Sequence, residues 1–312
     1  MDIKQYITNL SVPQNKVDVV LDTDTFNEVD DQFALAYMLA SKEKLNVKAV
    51  YAAPFLNEKS ESPKDGMNKS YDEIIRILKL AGHEELIDNT YRGSERYLEN
   101  ETVGVISPAA CDLAERAKNY SPENPLYVIA IGAITNVASA LLINPEAAEN
   151  IVVVWLGGHA LDYSHTKEFN MCQDIAAARV VFGCGVPLVQ LPCCGVVHAF
   201  SLPYQEMEHF LKGKNELCDF LLKRVRENES EKLAADKAVA RVIWDVTAVG
   251  WLLNTNNRFM ESRLIHSPVP EYDNRYSYDE SRHFINYVYF INRNELANDL
   301  YEKLVTLQTC SA

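Results

Sequence analysis

The apolar runs of this chain predict an α/β protein built on a doubly wound, mostly parallel sheet with flanking helices. Three observations carry that expectation. Short β-branched runs, Val17 to Leu21, Leu126 to Ile131 (LYVIAI) and Ile151 to Leu156 (IVVVWL), are near-continuously apolar, with Asp18 the one charged residue among them, as strands covered on both faces are. Stretches with apolar residues at helical spacing separate them, which is the alternation of right-handed crossover units. Carboxylates or glycines follow the strands, namely Asp22 and Asp24, Gly132, and Gly157-Gly158, where open α/β sheets bind their ligands. With 312 residues and 47% hydrophobic content, residues 1–312 are expected to form a single domain with a substantial core.

Taken in order, the strand Val17 to Leu21 is followed from Asp30 by a helical pattern through Phe33, Ala34, Tyr37 and Met38. Asn46 to Ala53 reads as the second strand, and Phe55 to Lys69 as a long polar loop of the kind that moves over a site. Ser70 and Glu73 have the spacing of a capping box and open a helix that Gly82 closes. A weak strand lies near Asp88 to Tyr91, and Ser107-Pro108 opens the next helix. The strand Leu126 to Ile131 leads into a helix over Gly132 to Leu142. After the strand Ile151 to Leu156, Asp174 caps a helix over Ile175 to Phe182, and Pro187 to Leu191 forms a further strand. Helices follow over Pro203 to Lys212, Glu216 to Arg226 and Asp236 to Leu253. Two late strands, Arg258 to Ile265 and His283 to Ile291, precede a closing helix over Asn294 to Leu307.

A formal net charge of −14 argues against nucleic acid and anionic membranes as partners, since both require basic surface. No run of eighteen apolar residues exists, and the polar start MDIKQYITNL is unlike a signal peptide, so a cytoplasmic protein is expected. The seven cysteines are odd in number and scattered through a long chain, which is no disulfide framework. Cys184, Cys193 and Cys194, followed by His198, match no zinc spacing and read as buried thiols.

The chemistry concentrates in Asp22, Asp24, Asp30 and Asp31. Four aspartates in ten residues repel one another unless a cation or shared protons neutralise them. Oxygen ligands with no His or Cys nearby favour Ca²⁺ or Mg²⁺. The plainer alternative is two helix-capping acids beside a solvated strand end.

The order Asp22-Thr23-Asp24, a short loop, Asp30-Asp31 and an amphipathic helix resembles the amino-terminal fingerprint of the nucleoside hydrolase family, calcium-dependent enzymes that cleave the N-glycosidic bond of ribonucleosides. Members usually carry Pro-Gly-x between the two Asp pairs. Here Thr25-Phe26-Asn27-Glu28-Val29 is two residues longer and has neither, which places the chain on a divergent branch. Three further segments are similar to the family: Ile131-Gly132-Ala133-Ile134-Thr135-Asn136; Leu156-Gly157-Gly158 with Glu168-Phe169-Asn170 and Asp174; and Trp244-Asp245.

The resemblance implies a calcium site formed by Asp24, Asp31, Asp245 and the backbone carbonyl of Ile131. It implies Asp24 as the base that activates water, Asp30 as acceptor of a ribose hydroxyl, and Asp22 as support from behind. Leu156, Glu168 and Asn170 would line the ribose, with Leu156 in place of the usual Met. Asn57 corresponds loosely to a sugar-contacting Asn. Trp244 stands where many relatives have a proton-donating His. It can stack on a base but not protonate it, and the resemblance to the family's purine-preferring branch, which has Trp here, tilts the expectation towards purine ribonucleosides. His159, His283, Tyr276 and Tyr278 are further candidates for base contacts. Between Arg92 and Ala110 the chain lacks the family's Gly-rich His-Gly segment, which leaves the substrate open. Family members are usually homodimers or homotetramers, so a homo-oligomer is expected.

Two rivals compete with this reading. Leu21-Asp22-Thr23-Asp24-Thr25 also resembles the Asp-x-Asp motif of haloacid-dehalogenase-type Mg²⁺-dependent phosphatases, but that reading leaves Asp30-Asp31, Glu168-Phe169-Asn170 and Asp245 without roles. A non-catalytic nucleoside or ribose sensor would keep the same cavity without turnover.

Overall fold

The computed structural model describes residues 1–235 and 237–307. Its strands are β1 (Val17–Thr23), β2 (Leu45–Ala52), β3 (Thr90–Arg92), β4 (Leu126–Ala130), β5 (Ile151–Leu156), β6 (Leu188–Leu191), β7 (Ser201–Pro203), β8 (Ala240–Val242), β9 (Met260–His266), β10 (Val269–Pro270), β11 (Tyr276–Ser277) and β12 (Phe284–Ile291). Eight of them form one sheet in the order β3-β2-β1-β4-β5-β6-β12-β9. Every neighbouring pair is parallel except β12 and β9, so the α/β architecture is as the sequence predicts.

The near-continuously apolar strands are explained by two cores. Val19 and Leu21 of β1, Tyr127 and Ile129 of β4, and Val152, Val154 and Leu156 of β5 face one core, packed by the helices Val29–Ala40, Pro63–Leu80, Val246–Leu252 and Arg293–Thr306. The alternate residues Val20, Val128, Ile151, Val153 and Trp155 face the other core, packed by Pro108–Arg116, Thr135–Ile143 and Ile175–Gly183. Ile131 belongs to the first core, so the carboxyl ends of β4 and β5 turn Ile131 and Leu156 towards the helices that carry Asp30, Asp31 and Asp245.

Several expected boundaries move. The helix assigned to the Ser70 and Glu73 box begins instead at Pro63. Ser62 caps it, its Oγ accepting from the Asp65 N–H at 3.1 Å, with Pro already set for the first helical position. Ser70 and Glu73 lie inside that helix and serve the loop after Asp24: the Phe26 N–H donates to Ser70 Oγ, and Gln32 Nε2 donates to Glu73 Oε1. The expected strand at Asp88 to Tyr91 is a 3₁₀ turn, Glu84–Asn89, followed by β3. The expected helix from Asp236 to Leu253 is a correction: β8 pairs antiparallel with β7, and the helix covers Val246–Leu252 alone. Asp236 itself, like Cys310, lies outside the described residues. A short helix at Ile3–Asn9 adds to the expected elements. Among the described residues no helix is long and apolar enough to cross a membrane.

Candidate active site

Asp22 is the last residue of β1 held on both sides, opposite Tyr51 of β2 and Ala130 of β4. Its Oδ1 accepts from Asn136 Nδ2 at 2.7 Å, and the same amide donates to the Ala52 carbonyl. Asn136 Oδ1 in turn accepts from the backbone N–H and the Oγ of Ser94. One buried amide thus ties β1, β2, the Gly93 turn and the helix Thr135–Ile143 together behind the acid cluster. The close packing needs Gly93, where a Cβ would fall 2.0 Å from the Ala52 carbonyl oxygen.

In front of Asp22 the acids converge. One carboxylate oxygen from each of Asp30, Asp31 and Asp245 lies within 4.8 Å of the other two, although Asp245 is 214 positions from Asp31 along the chain (245 − 31). Asp31 is oriented by Thr23 Oγ1, which donates to Oδ1 at 2.6 Å. Asp24 sits against Asp31, beside Gly132, where a Cβ would come 3.2 Å from Asp24 Oδ1. All four are buried. Burial, with mutual repulsion added, pushes the carboxyls of Asp24, Asp30 and Asp245 well above the usual range, and burial holds Asp22 and Asp31 up to about 7.

Among the described residues, Asp24 Oδ2 and Asp30 Oδ1 are buried and have no hydrogen-bond partner. Buried carboxylate oxygens without partners, beside the grouping of Asp30, Asp31 and Asp245, make the donor set of a hard divalent cation, and the 4.8 Å spacing of that grouping suits ligands about 2.3–2.6 Å from a shared centre. The Ile131 carbonyl accepts one bond, from Asn170 Nδ2 at 3.0 Å, which leaves a lone pair to complete that set.

A cavity of about 390 Å³ opens over the cluster. Ten residues named from the sequence as catalytic, substrate-binding or metal-binding line it: Asp24, Asp30, Asp31, Asn57, Ile131, Leu156, Glu168, Asn170, Trp244 and Asp245. Their hydrogen bonds divide the work unevenly. Glu168 caps the helix Phe169–Gln173, accepting from the N–H groups of Asn170 at 2.8 Å and of Met171 and Gly158 at 2.9 Å, and the Cys193 thiol adds a fourth donor. Its carboxylate is therefore largely committed to the protein. Asn170 spends both amide hydrogens on the Ile131 and Leu156 carbonyls, which leaves its Oδ1 without a partner among the described residues.

Gly158 holds this wall in place with φ +75°, and a Cβ there would meet Tyr276 Oη at 2.2 Å. Gly158→Ala should therefore lower stability by about 1–3 kcal/mol, read from a denaturant midpoint against wild type. An unchanged midpoint would mean the turn is free to relax.

Of the other candidates for base contacts, His159 lines the cavity, while His283, Tyr276 and Tyr278 do not. The Cys194 N–H donates to His159 Nδ1, so Nε2 carries the proton and donates to the Lys167 carbonyl. Both ring nitrogens are thus engaged in a neutral ring, whose pKa burial depresses. Trp244 is half-buried, with the exposed His198 ring 5.4 Å away and tilted by 54°.

Sequence reasoning missed Asn27, Glu28 and Arg241. Asn27 and Glu28 come from the lengthened loop and line the cavity. Arg241, on β8, forms ion pairs with Glu28 and, at 3.5 Å, with Glu229, and its charge also favours ionisation of Asp30. The unusual loop length was the signal for the first two. Nothing local marks Arg241, which is 213 residues from Glu28.

Comparison with known proteins agrees with this geometry. The family model described as inosine-uridine preferring nucleoside hydrolase matches residues 19–278. The pyrimidine-specific ribonucleoside hydrolase RihA of Citrobacter koseri is 27% identical over 255 residues, covering 72% of this chain and 76% of that protein. The fold is similar to that of the plant nucleoside hydrolase PpNRh1, with a TM-score of 0.73 at 17% identity over 93% of this chain and 99% of that one. It is also similar to a purine-preferring ribonucleoside hydrolase from Gardnerella vaginalis, with a TM-score of 0.72 at 17% identity over 94% and 100% of the two chains.

Proposed function

Because the chain belongs to the inosine-uridine preferring nucleoside hydrolase family, whose members are N-glycosyl hydrolases of ribonucleosides, we propose that it cleaves the N-glycosidic bond of a ribonucleoside at this cavity, to free base and ribose. The observation that carries the reading is the convergence of Asp24, Asp30, Asp31 and Asp245 beneath a cavity with a free Asn170 oxygen on one wall and Trp244 on another.

A calcium ion held by Asp24, Asp31, Asp245 and the Ile131 carbonyl would neutralise the acids and anchor oxygen groups of water and sugar. The chain's own residues supply the rest. Asp24, whose Oδ2 lacks a partner, takes the proton of the attacking water. Asp30 and the Asn170 Oδ1 accept from ribose hydroxyls and hold C1′ in line with that water, so that positioning supplies much of the rate. Positive charge that develops on the ribose ring is stabilised by the surrounding carboxylates. The same reading includes a single catalytic unit over 1–312 and assembly in the cytoplasm as a dimer or tetramer, which sedimentation would test by its mass.

Trp244 supports a purine preference, because a two-ring base covers more of an indole face than a one-ring base does. The pyrimidine-specific relatives favour the second reading, a pyrimidine ribonucleoside. The ratio of kcat/KM for inosine and uridine decides between them. On the purine reading it exceeds one and falls about two- to tenfold in Trp244→Ala, the loss of one stacking contact. A ratio below one in wild type, unmoved by the substitution, would contradict it.

A further inference from the structure

We infer that Asn27, brought to the cavity wall by the lengthened loop, contacts the substrate and donates an N–H to a sugar hydroxyl oxygen. The inference rests on the riboside reading above. Its direction follows from a relay of donors. A backbone N–H can only donate, and that of Lys59 reaches Asn57 Oδ1 at 2.9 Å. Asn57 must therefore turn its Nδ2 the other way, where it donates to Asn27 Oδ1 at 2.7 Å. Asn27 accepts at that oxygen, which leaves its own Nδ2 as the free end.

That Nδ2 has no partner among the described residues, yet Asn27 is 6% exposed and lines the cavity. An amide donor on the cavity wall with no acceptor in the protein can take one from a ligand in the cavity. The sugar is the part of the ligand that meets it. The Asn27 backbone N–H donates to the Asp24 carbonyl at 2.7 Å, which keeps the residue at the acid end where the ribose hydroxyls are held.

The loop is braced on both flanks, so the amide is presented in a fixed direction. Lys59 Nζ donates to the Asn27 carbonyl, the Phe26 N–H donates to Ser70 Oγ, and Glu28 is paired with Arg241. The two extra residues that depart from the family pattern thus build a wall of the cavity.

The experiment compares wild type with Asn27→Ala and the isosteric Asn27→Asp. Substrates are inosine, uridine and the 2′-, 3′- and 5′-deoxy forms of one of them, the deoxy forms read as substrates or as competitive inhibitors. The expected result is a fall in kcat/KM of about ten- to a hundredfold, equal for inosine and uridine. For the one deoxy form that lacks the hydroxyl served by Asn27, wild type and variant should be equal. Asn57→Asp, which removes the amide that orients Asn27, should give a smaller loss in the same direction. Wild-type kcat/KM in both Asn27 variants, a loss that depends on the base, or a loss that persists on all three deoxy forms would overturn the assignment while the riboside reading stands. Release of no base by the wild type would overturn both.

Discussion

Asp24→Asn should lower kcat for ribonucleoside hydrolysis about a thousandfold while the chain stays folded, the size of effect that loss of a positioned base produces. The substitution keeps the shape that fits against Gly132, so the wall of the cavity is preserved. It removes the acceptor with a free, buried oxygen above the cluster. It also removes one of four buried like charges, so without divalent cation the variant should melt no lower than wild type. Steady-state rates with calcium, and thermal melts in chelator, check the two halves separately. A kcat within tenfold of wild type would mean that another group takes the proton.

The second large effect concerns the cation and pH. Burial raises Asp22 and Asp31 to about 7 and holds Asp24, Asp30 and Asp245 well above the carboxylate range. In the unfolded chain these groups titrate near about 4. The folded, cation-free protein therefore binds protons that the unfolded chain has released. That contribution to stability is complete below about 4 and is lost as the pH rises through about 7. In chelator the melting temperature should fall between pH 5 and pH 8. Calcium should restore stability at pH 8 and add little at pH 5, where protons already neutralise the cluster. At a hundredfold excess over its Kd, a cation bound solely by the folded state adds about 2.7 kcal/mol. Calorimetry across this range in calcium and in chelator measures the gap, and equal melting temperatures at pH 8 would contradict a cation site here.

What could be read from the sequence followed from physics that is local in the chain. β1, β4 and β5 announce themselves because both faces of each are buried, so alternate residues serve two cores. The density of aspartates at the end of β1 marks the acid cluster by itself, whereas Ile131, Leu156, Glu168, Asn170, Asn57, Trp244 and Asp245 were nameable through the resemblance of short motifs to those of the family. The helix Pro63–Leu80 starts earlier than the Ser70 and Glu73 spacing predicts because Ser62 caps it ahead of Pro63, while Ser70 accepts from the Phe26 N–H inside the helix. The region before Trp244 was misread because β8 exists through its partner β7, some forty residues earlier, and not through any pattern of its own. The use of each polar group was also hidden. Glu168 and Asn170 read alike as residues that line the ribose until three backbone N–H groups and a thiol are found on Glu168 and both amide hydrogens of Asn170 are found on carbonyls.

The central claim is hydrolysis of a riboside by a cation-dependent acid cluster. Incubating the protein with a panel of purine and pyrimidine ribonucleosides, in calcium and in chelator, and separating free base and ribose by chromatography tests it most directly. Base and ribose are expected in equal amounts from at least one member, with release abolished by chelator and restored by calcium. No release from any member by protein shown calorimetrically to bind calcium would contradict it and would favour a sensor that binds ribosides without cleaving them.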